Sequence, residues 1–238
     1  MKSPLFPSLP MLLVAAAVLN VPPACAAVTD GLVLYLPFSG DAQDLSGNNN
    51  HGTVFGAAPA ADRNGNPNSA YSFDGVNDYI EIADHATLDF TNSFSIALWI
   101  NQPVAGGYRV VDKITSGSND GYMLDTITNG IRMRLCGAGA CPESSAEYGL
   151  NNWHHLVLTF NNGSAAFFID GQPSGTSTLP QTAVQTNGLP LYLGSAHPLG
   201  YYFQGLIDEV RLYNRVLTGP EILELADYRL LYLPLILR

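Results

Sequence analysis

Charge is scarce in this chain of 238 residues: 13% are Asp, Glu, Lys or Arg, and the 10 basic residues face 20 acidic ones, for a formal charge of −10. Helices normally display abundant Glu, Lys and Arg on their exposed side, so this shortage argues against an all-helical protein. The shortage of basic groups disfavours nucleic acid and anionic membrane surfaces as partners, because a net negative surface repels phosphates and acidic headgroups. Glycans, cations and basic protein patches stay open. Apolar runs are short, none reaching the ~20 residues that a spanning helix needs, which disfavours membrane insertion. Tryptophan occurs twice and cysteine three times.

Glycine (23) and proline (16) are plentiful, and 47% of residues are hydrophobic. That apolar fraction excludes a disordered or collagen-like chain and is enough to build one core. Turn-rich, charge-poor composition favours strands, and all-β chains of roughly 200–250 residues commonly form a single domain.

Residues 1–27 read as a secretory signal peptide. Lys2 gives the basic start, Met11 to Val18 the apolar core, and Ala24-Cys25-Ala26-Ala27 the small residues that a signal peptidase takes. Loss of the leader removes one basic residue and takes the charge to about −11. It also removes Cys25 and leaves Cys136 and Cys141 as an even pair in an oxidising compartment, separated by the flexible Gly137-Ala138-Gly139-Ala140. A disulfide is expected there, with two free thiols as the alternative; zinc would need two more soft ligands, and none is near in sequence.

From Gly31 onward short apolar or alternating runs are separated by Gly, Asn, Asp and Pro turns. About twelve strands are predicted, at 31–38, 51–56, 69–73, 79–82, 93–101, 108–114, 121–126, 130–136, 153–160, 165–170, 189–194 and 202–213. The run Phe94-Ser-Ile-Ala-Leu-Trp-Ile100 has bulk on both faces, so it should be central. Glu81, Arg132 and Arg134 mark strands with one solvated face. One helix is predicted at 220–227: Thr218 is its N-cap, Glu221 completes a capping box, and Ile222, Leu223, Leu225 and Ala226 supply the buried stripe. Residues 229–238 form a short apolar tail interrupted by Pro234. It could be a last strand, a fraying end or a sorting signal.

Four segments together resemble the laminin G-like, concanavalin A-like family of secreted modules. They are Leu34-Tyr-Leu-Pro-Phe38 with Asp44-Leu-Ser-Gly-Asn-Asn-Asn-His-Gly52, then Ser72-Phe-Asp-Gly-Val-Asn-Asp-Tyr-Ile80. The third set is Phe94 to Ile100, Trp153-His-His-Leu-Val-Leu-Thr-Phe160 and Phe168-Ile-Asp-Gly171. The fourth is Gly205-Leu-Ile-Asp-Glu-Val-Arg-Leu-Tyr-Asn-Arg-Val-Leu217. The resemblance implies a two-sheet antiparallel jelly-roll sandwich over residues 28–228 with one short C-terminal helix, and Trp99 and Trp153 packed between the sheets. It also implies a structural calcium held by Asp208 with the carbonyls of Phe38 and Gly75, an oxygen set that suits that ion. Asp208 capping a turn, or pairing with Arg211 or Arg215, is the alternative. The acidic turn at Asp41, Asp44 and Asn48 to Asn50 lacks calcium-loop spacing and reads as turn chemistry.

Glycosidases of this superfamily carry alternate carboxylates on one strand, and no such run occurs. Glu143 and Glu147 are expected in a loop, and no nucleophile elbow is present. A noncatalytic, secreted module, extracellular or periplasmic, is therefore expected. Its ligand would be carbohydrate or an extracellular protein, with a carbohydrate-active enzyme or a purely structural domain as the alternatives. Candidate ligand residues are Asn119, Asp120, Tyr122, His197, Tyr201 and Tyr202, which combine flat rings with hydrogen-bonding groups in turn-rich segments.

Overall fold

The computed structural model describes residues 28–115, 120–128, 130–134, 143–179 and 182–226. In chain order its elements are β1 (Leu32–Leu36), β2 (Gly52–Phe55), β3 (Ala58–Ala60), β4 (Ala70–Asp74), β5 (Tyr79–Ile82), β6 (Ser93–Asn101), β7 (Arg109–Lys113), β8 (Tyr122–Ile127), β9 (Gly130–Arg134), β10 (Glu143–Glu147), β11 (Trp153–Asn161), β12 (Ser164–Ile169), β13 (Gln172–Thr178), β14 (Leu191–Leu193), β15 (Gln204–Tyr213) and the helix α1 (Gly219–Ala226). One sheet runs β13-β12-β11-β6-β15-β4-β3, with β1 also on β15; the other runs β10-β9-β8-β7-β14-β5-β2. Every ladder within these sheets is antiparallel. The two sheets stack as the expected jelly-roll sandwich.

Alternation decides which side chains fill the space between the sheets. Phe94, Ile96, Leu98 and Ile100 of β6 meet Leu156, Leu158 and Phe160 of β11 and Ile207 of β15 there, facing Ile80, Ile82, Leu124, Leu191 and Leu193 from the opposite sheet. The other face of β6 is also covered. Ala97, with Val157 and Tyr213, packs under Leu217, Ile222 and Leu225, so α1 closes that side of the eight-stranded sheet. The glutamate half of the capping box forms: Glu221 Oε2 accepts the Thr218 N–H at 2.7 Å and the Thr218 hydroxyl at 2.8 Å, and Arg215 binds both Glu221 oxygens at 2.7 and 2.9 Å.

Three strands escape the sequence pattern, β3, β10 and β13. All three are sheet edges. They contain Pro59, Pro173, Gly175 and the polar Glu143-Ser-Ser-Ala-Glu147, residues that weaken a strand signal because an edge must refuse further pairing. Glu143 and Glu147 thus lie on a strand and not in a loop. The tryptophans also depart from expectation: neither belongs to the core between the sheets. Trp99 follows Leu98 in β6 and so faces outward, where Arg63 lies 4.4 Å from its ring centre. The leader, the Cys136–Cys141 pair and the tail at 229–238 lie outside the described residues.

Candidate binding site

The seven-stranded sheet turns one face to the core and the other outward, and β7 departs from simple alternation. Its pairing with β8 slips between Arg109 and Val111, a bulge that sends both Val110 and Val111 to the core. Residues three apart on a regular strand face opposite ways; here the extra residue puts both Arg109 and Asp112 on the outer face. Asp125 of β8 is the register partner of Arg109, and Arg132 of β9 is the partner of Asp125.

These four side chains form one ion-pair network. Asp125 accepts Arg132 Nε at 2.9 Å and NH2 at 2.7 Å, and Arg109 NH1 at 2.9 Å. Arg109 Nε stands 3.2 Å from Asp112 Oδ2. Above them the segment after β14 returns toward β15. The His197 N–H donates to Asp112 Oδ1 at 3.2 Å, the Arg109 N–H donates to the Tyr201 carbonyl at 3.0 Å, and the Arg109 guanidinium lies 5.4 Å from the Tyr201 ring centre. Tyr201 has φ 51°, a left-handed turn position, and its side chain is left 70% exposed. The result is a cavity of about 230 Å3 lined by Gly107, Tyr108, Arg109, Asp125, Arg132 and Tyr201.

Beside it, across β14, β5 and β2, runs an aromatic ribbon. The His197 ring stacks on Tyr192 at 5.7 Å, Tyr192 meets Tyr79 edge-on at 5.4 Å, and Tyr79 stacks on Phe55 at 4.6 Å. Phe55 is 40% exposed at the end of the ribbon. Burial and the neighbouring Glu81 push the Tyr192 phenol up to about 12, so it stays a neutral hydrogen-bonding group.

Of the residues expected at a ligand site, Tyr201 lines the cavity and His197 anchors its segment. Tyr202 follows, half-buried, and does not line it. Tyr122 is corrected to a core residue: its ring packs against Phe90 and Phe94, and its buried hydroxyl donates to the Leu88 carbonyl at 3.0 Å. Asp120 accepts the Thr115 N–H and hydroxyl, each at 2.8 Å, and does not line the cavity. Asn119 is outside the described residues. Arg109, Asp112, Asp125 and Arg132 were not anticipated. A charged residue at three of the strands was the available signal, but only the bulge and the cross-strand register reveal that they converge.

The expected calcium positions are arranged differently. Asp208 is buried on the outer face of the eight-stranded sheet, with Arg63 NH1 at 3.2 Å from Oδ2. Burial and then Glu209 raise its carboxyl to about 7, against the pull of Arg63. The Phe38 carbonyl accepts the Gly40 N–H at 2.8 Å. Gly75 lies against Gln204, four residues along β15 from Asp208, roughly 13 Å at ~3.3 Å per residue. A guanidinium therefore stands where the cation was expected and one proposed carbonyl is remote, so these residues as placed do not fit a calcium ion. Among the described residues no group of three or more His, Cys, Asp or Glu is spaced to hold a metal. Asp44 behaves as a turn residue, accepting the N–H groups of Tyr35, Ser46 and Asn50 at 2.9 Å each.

The other polar clusters are also tied up structurally. His154 uses Nδ1 on Asp170 at 2.7 Å and Nε2 on the Gly149 carbonyl at 3.0 Å, and these contacts raise its pKa. His155 is buried against Trp99, and desolvation pulls it down to about 3.

The fold is a jelly roll of two stacked antiparallel sheets. Residues 74–223 match the model of the concanavalin A-like lectin/glucanases superfamily, laminin G type, and the chain belongs to that family. Over 147 residues it is 26% identical to adhesion G-protein coupled receptor V1 of Danio rerio, covering 57% of this chain and 2% of that receptor. Among solved structures it is similar to domain 4 of AbnA, a GH43 extracellular arabinanase from Geobacillus stearothermophilus, in complex with arabinotriose, with TM-score 0.66, 21% identity, and 82% and 98% of the two chains covered. The binding domain of Paraclostridial Mosquitocidal Protein 1 superposes with TM-score 0.67 at 19% identity, over 84% of this chain and 52% of that one. A botulinum neurotoxin type C structure concerned with ganglioside interaction gives TM-score 0.66 at 15% identity, over 84% and 51%. At these identities the likeness is one of fold.

Proposed function

We propose that this chain is a noncatalytic saccharide-binding module and that its ligand enters the cavity beneath Tyr201. The observation that carries the reading is the exposed Tyr201 ring beside an alternating guanidinium and carboxylate set. A sugar ring offers a C–H face that packs on an aromatic plane and hydroxyls that need donors and acceptors together, which is what this combination supplies. The structurally similar arabinanase domain with arabinotriose, and the toxin domain concerned with gangliosides, support the same class of ligand. Asp125 spends its oxygens on three guanidinium bonds, so it is a poor nucleophile or proton donor, which favours binding over hydrolysis. The leader-like residues 1–27 and the membership of the laminin G type favour a secreted or periplasmic setting.

The test is a glycan array followed by calorimetry on the best ligand with product analysis. Tyr201→Ala and Arg109→Ala should each weaken binding about tenfold or more, the loss of one aromatic or charge-assisted contact, while Phe168→Ala on the far sheet should leave affinity unchanged. Binding that survives both cavity substitutions would remove the site from this face, and release of reducing or unsaturated sugars would overturn the noncatalytic reading.

A further inference from the structure

Asp112 sits beneath the cavity and does not line it. Its side chain is buried, and although Arg109 Nε is 3.2 Å from Oδ2, neither atom completes a hydrogen bond. The pair is held by charge without alignment, and such a contact is more easily given up than a bidentate one. The groups facing Asp112 are Arg109 on its own strand, Asp125 on β8 with Arg132 behind it on β9, Tyr192 on β14 with Glu81 beyond, and His197 from the segment above. Burial raises the Asp112 carboxyl to about 6 against the pull of Arg109 and the His197 N–H, and the negative Asp125 adds to the rise.

The geometry points to a carboxylate-bearing saccharide as the ligand of the Tyr201 cavity, admitted when Asp112 is protonated and Arg109 is no longer neutralised from below. This rests on the saccharide reading of the cavity. With both aspartates ionised, two guanidinium charges meet two carboxylates and an added carboxylate leaves the cluster with a surplus negative charge. With Asp112 neutral, one guanidinium charge on the cavity wall is unbalanced, and the ligand carboxylate restores neutrality. A sugar acid with a pKa near the ~3.5 of an α-carboxyl group stays ionised throughout. The overall negative charge of the chain is felt weakly there, since screening acts within about 8 Å at physiological salt.

The experiment is calorimetry of the full chain with oligogalacturonate and alginate oligomers and with the same oligomers after carboxyl reduction, from pH 5 to pH 7.5. The acidic oligomers should bind about thirtyfold more tightly at pH 5 than at pH 7.5, as expected when binding follows the protonated fraction of one carboxyl that titrates near 6. The reduced oligomers should show no such trend. Asp112→Asn should hold the acid-pH affinity at every pH, His197→Gln should keep the pH trend, and Arg109→Gln should abolish the preference for acidic oligomers. Equal or weaker binding of the acidic oligomers at pH 5, or a pH trend that survives Asp112→Asn, overturns the inference. Should Asp112→Asn fail to fold, judged by melting, the wild-type trend and Arg109→Gln decide alone. Neutral glycans binding under Tyr201 without acidic preference would sink this inference and leave the saccharide reading standing; if no saccharide binds, both fall.

Discussion

Asp208 shows how far a single buried carboxyl can depart from its ordinary behaviour. Its Oδ1 is buried without a partner, Oδ2 takes Arg63, and its pKa is raised to about 7 by desolvation first and Glu209 second. A carboxyl whose folded pKa exceeds its unfolded value near 3.8 favours the folded state when protonated. Its stabilising contribution is therefore complete below about pH 4 and is lost as pH rises through about 7. Asp208→Asn, which keeps the shape and removes the charge, should flatten that part of the stability profile and raise the urea midpoint at pH 8, while changing it little at pH 4. Arg63→Ala should do the reverse at pH 8, because the ionised carboxylate is then left buried and unpaired. Nothing in the linear run Gly-Leu-Ile-Asp-Glu discloses Arg63, which arrives from a turn 145 residues earlier. Tyr201 and Tyr122 make the same point: both are tyrosines in turn-rich stretches, yet one stands in solvent and the other is sealed against Phe90 and Phe94.

At the level of elements, strong alternation was readable and its interruptions were not. β5 and β6 fall where the apolar periodicity puts them, and α1 follows from its capping box. The bulge in β7 leaves no sequence mark, because Arg109-Val-Val-Asp112 reads as an ordinary strand; only pairing with β8 forces two adjacent valines inward and so builds the charged face. The helix offers a test of how firmly the outer side of β6 and β11 is covered. Glu221 is pulled down to about 2 by Arg215 and the Thr218 donors, and Glu221→Ala should cost about 1 kcal/mol, the usual worth of a cap. Leu225→Ala should cost about 2–4 kcal/mol through lost burial, and hydrogen exchange should show α1 opening before the sheet amides. A larger loss from Glu221→Ala than from Leu225→Ala would show that capping rather than burial holds the helix.

For the whole molecule, strand-rich structure and the α-helix were legible from turn chemistry and capping, which depend on local residues, whereas the antiparallel sandwich was read from the family resemblance of the four motif segments. The proposed ligand face was not legible, because it is assembled from three strands and a returning segment. Calcium is a question at this scale, since an ion bridging the opening segment and the last strand would tie the termini of the domain together. With Arg63 on Asp208 and Gly75 remote, thermal melting should give the same Tm in calcium and after chelation. A rise of several degrees with calcium that Asp208→Ala abolishes would show that a cation displaces the guanidinium.

The edge strands carry one more consequence. Pro59 in β3, Pro173 and Gly175 in β13 and the acidic, serine-rich β10 make three of the sheet margins poor templates for a neighbour's backbone. Copies of such a domain can stand shoulder to shoulder, in tandem or crowded on one polymer, without zipping into fibres. Avidity through many weak contacts is then open to it, because proximity itself carries no penalty.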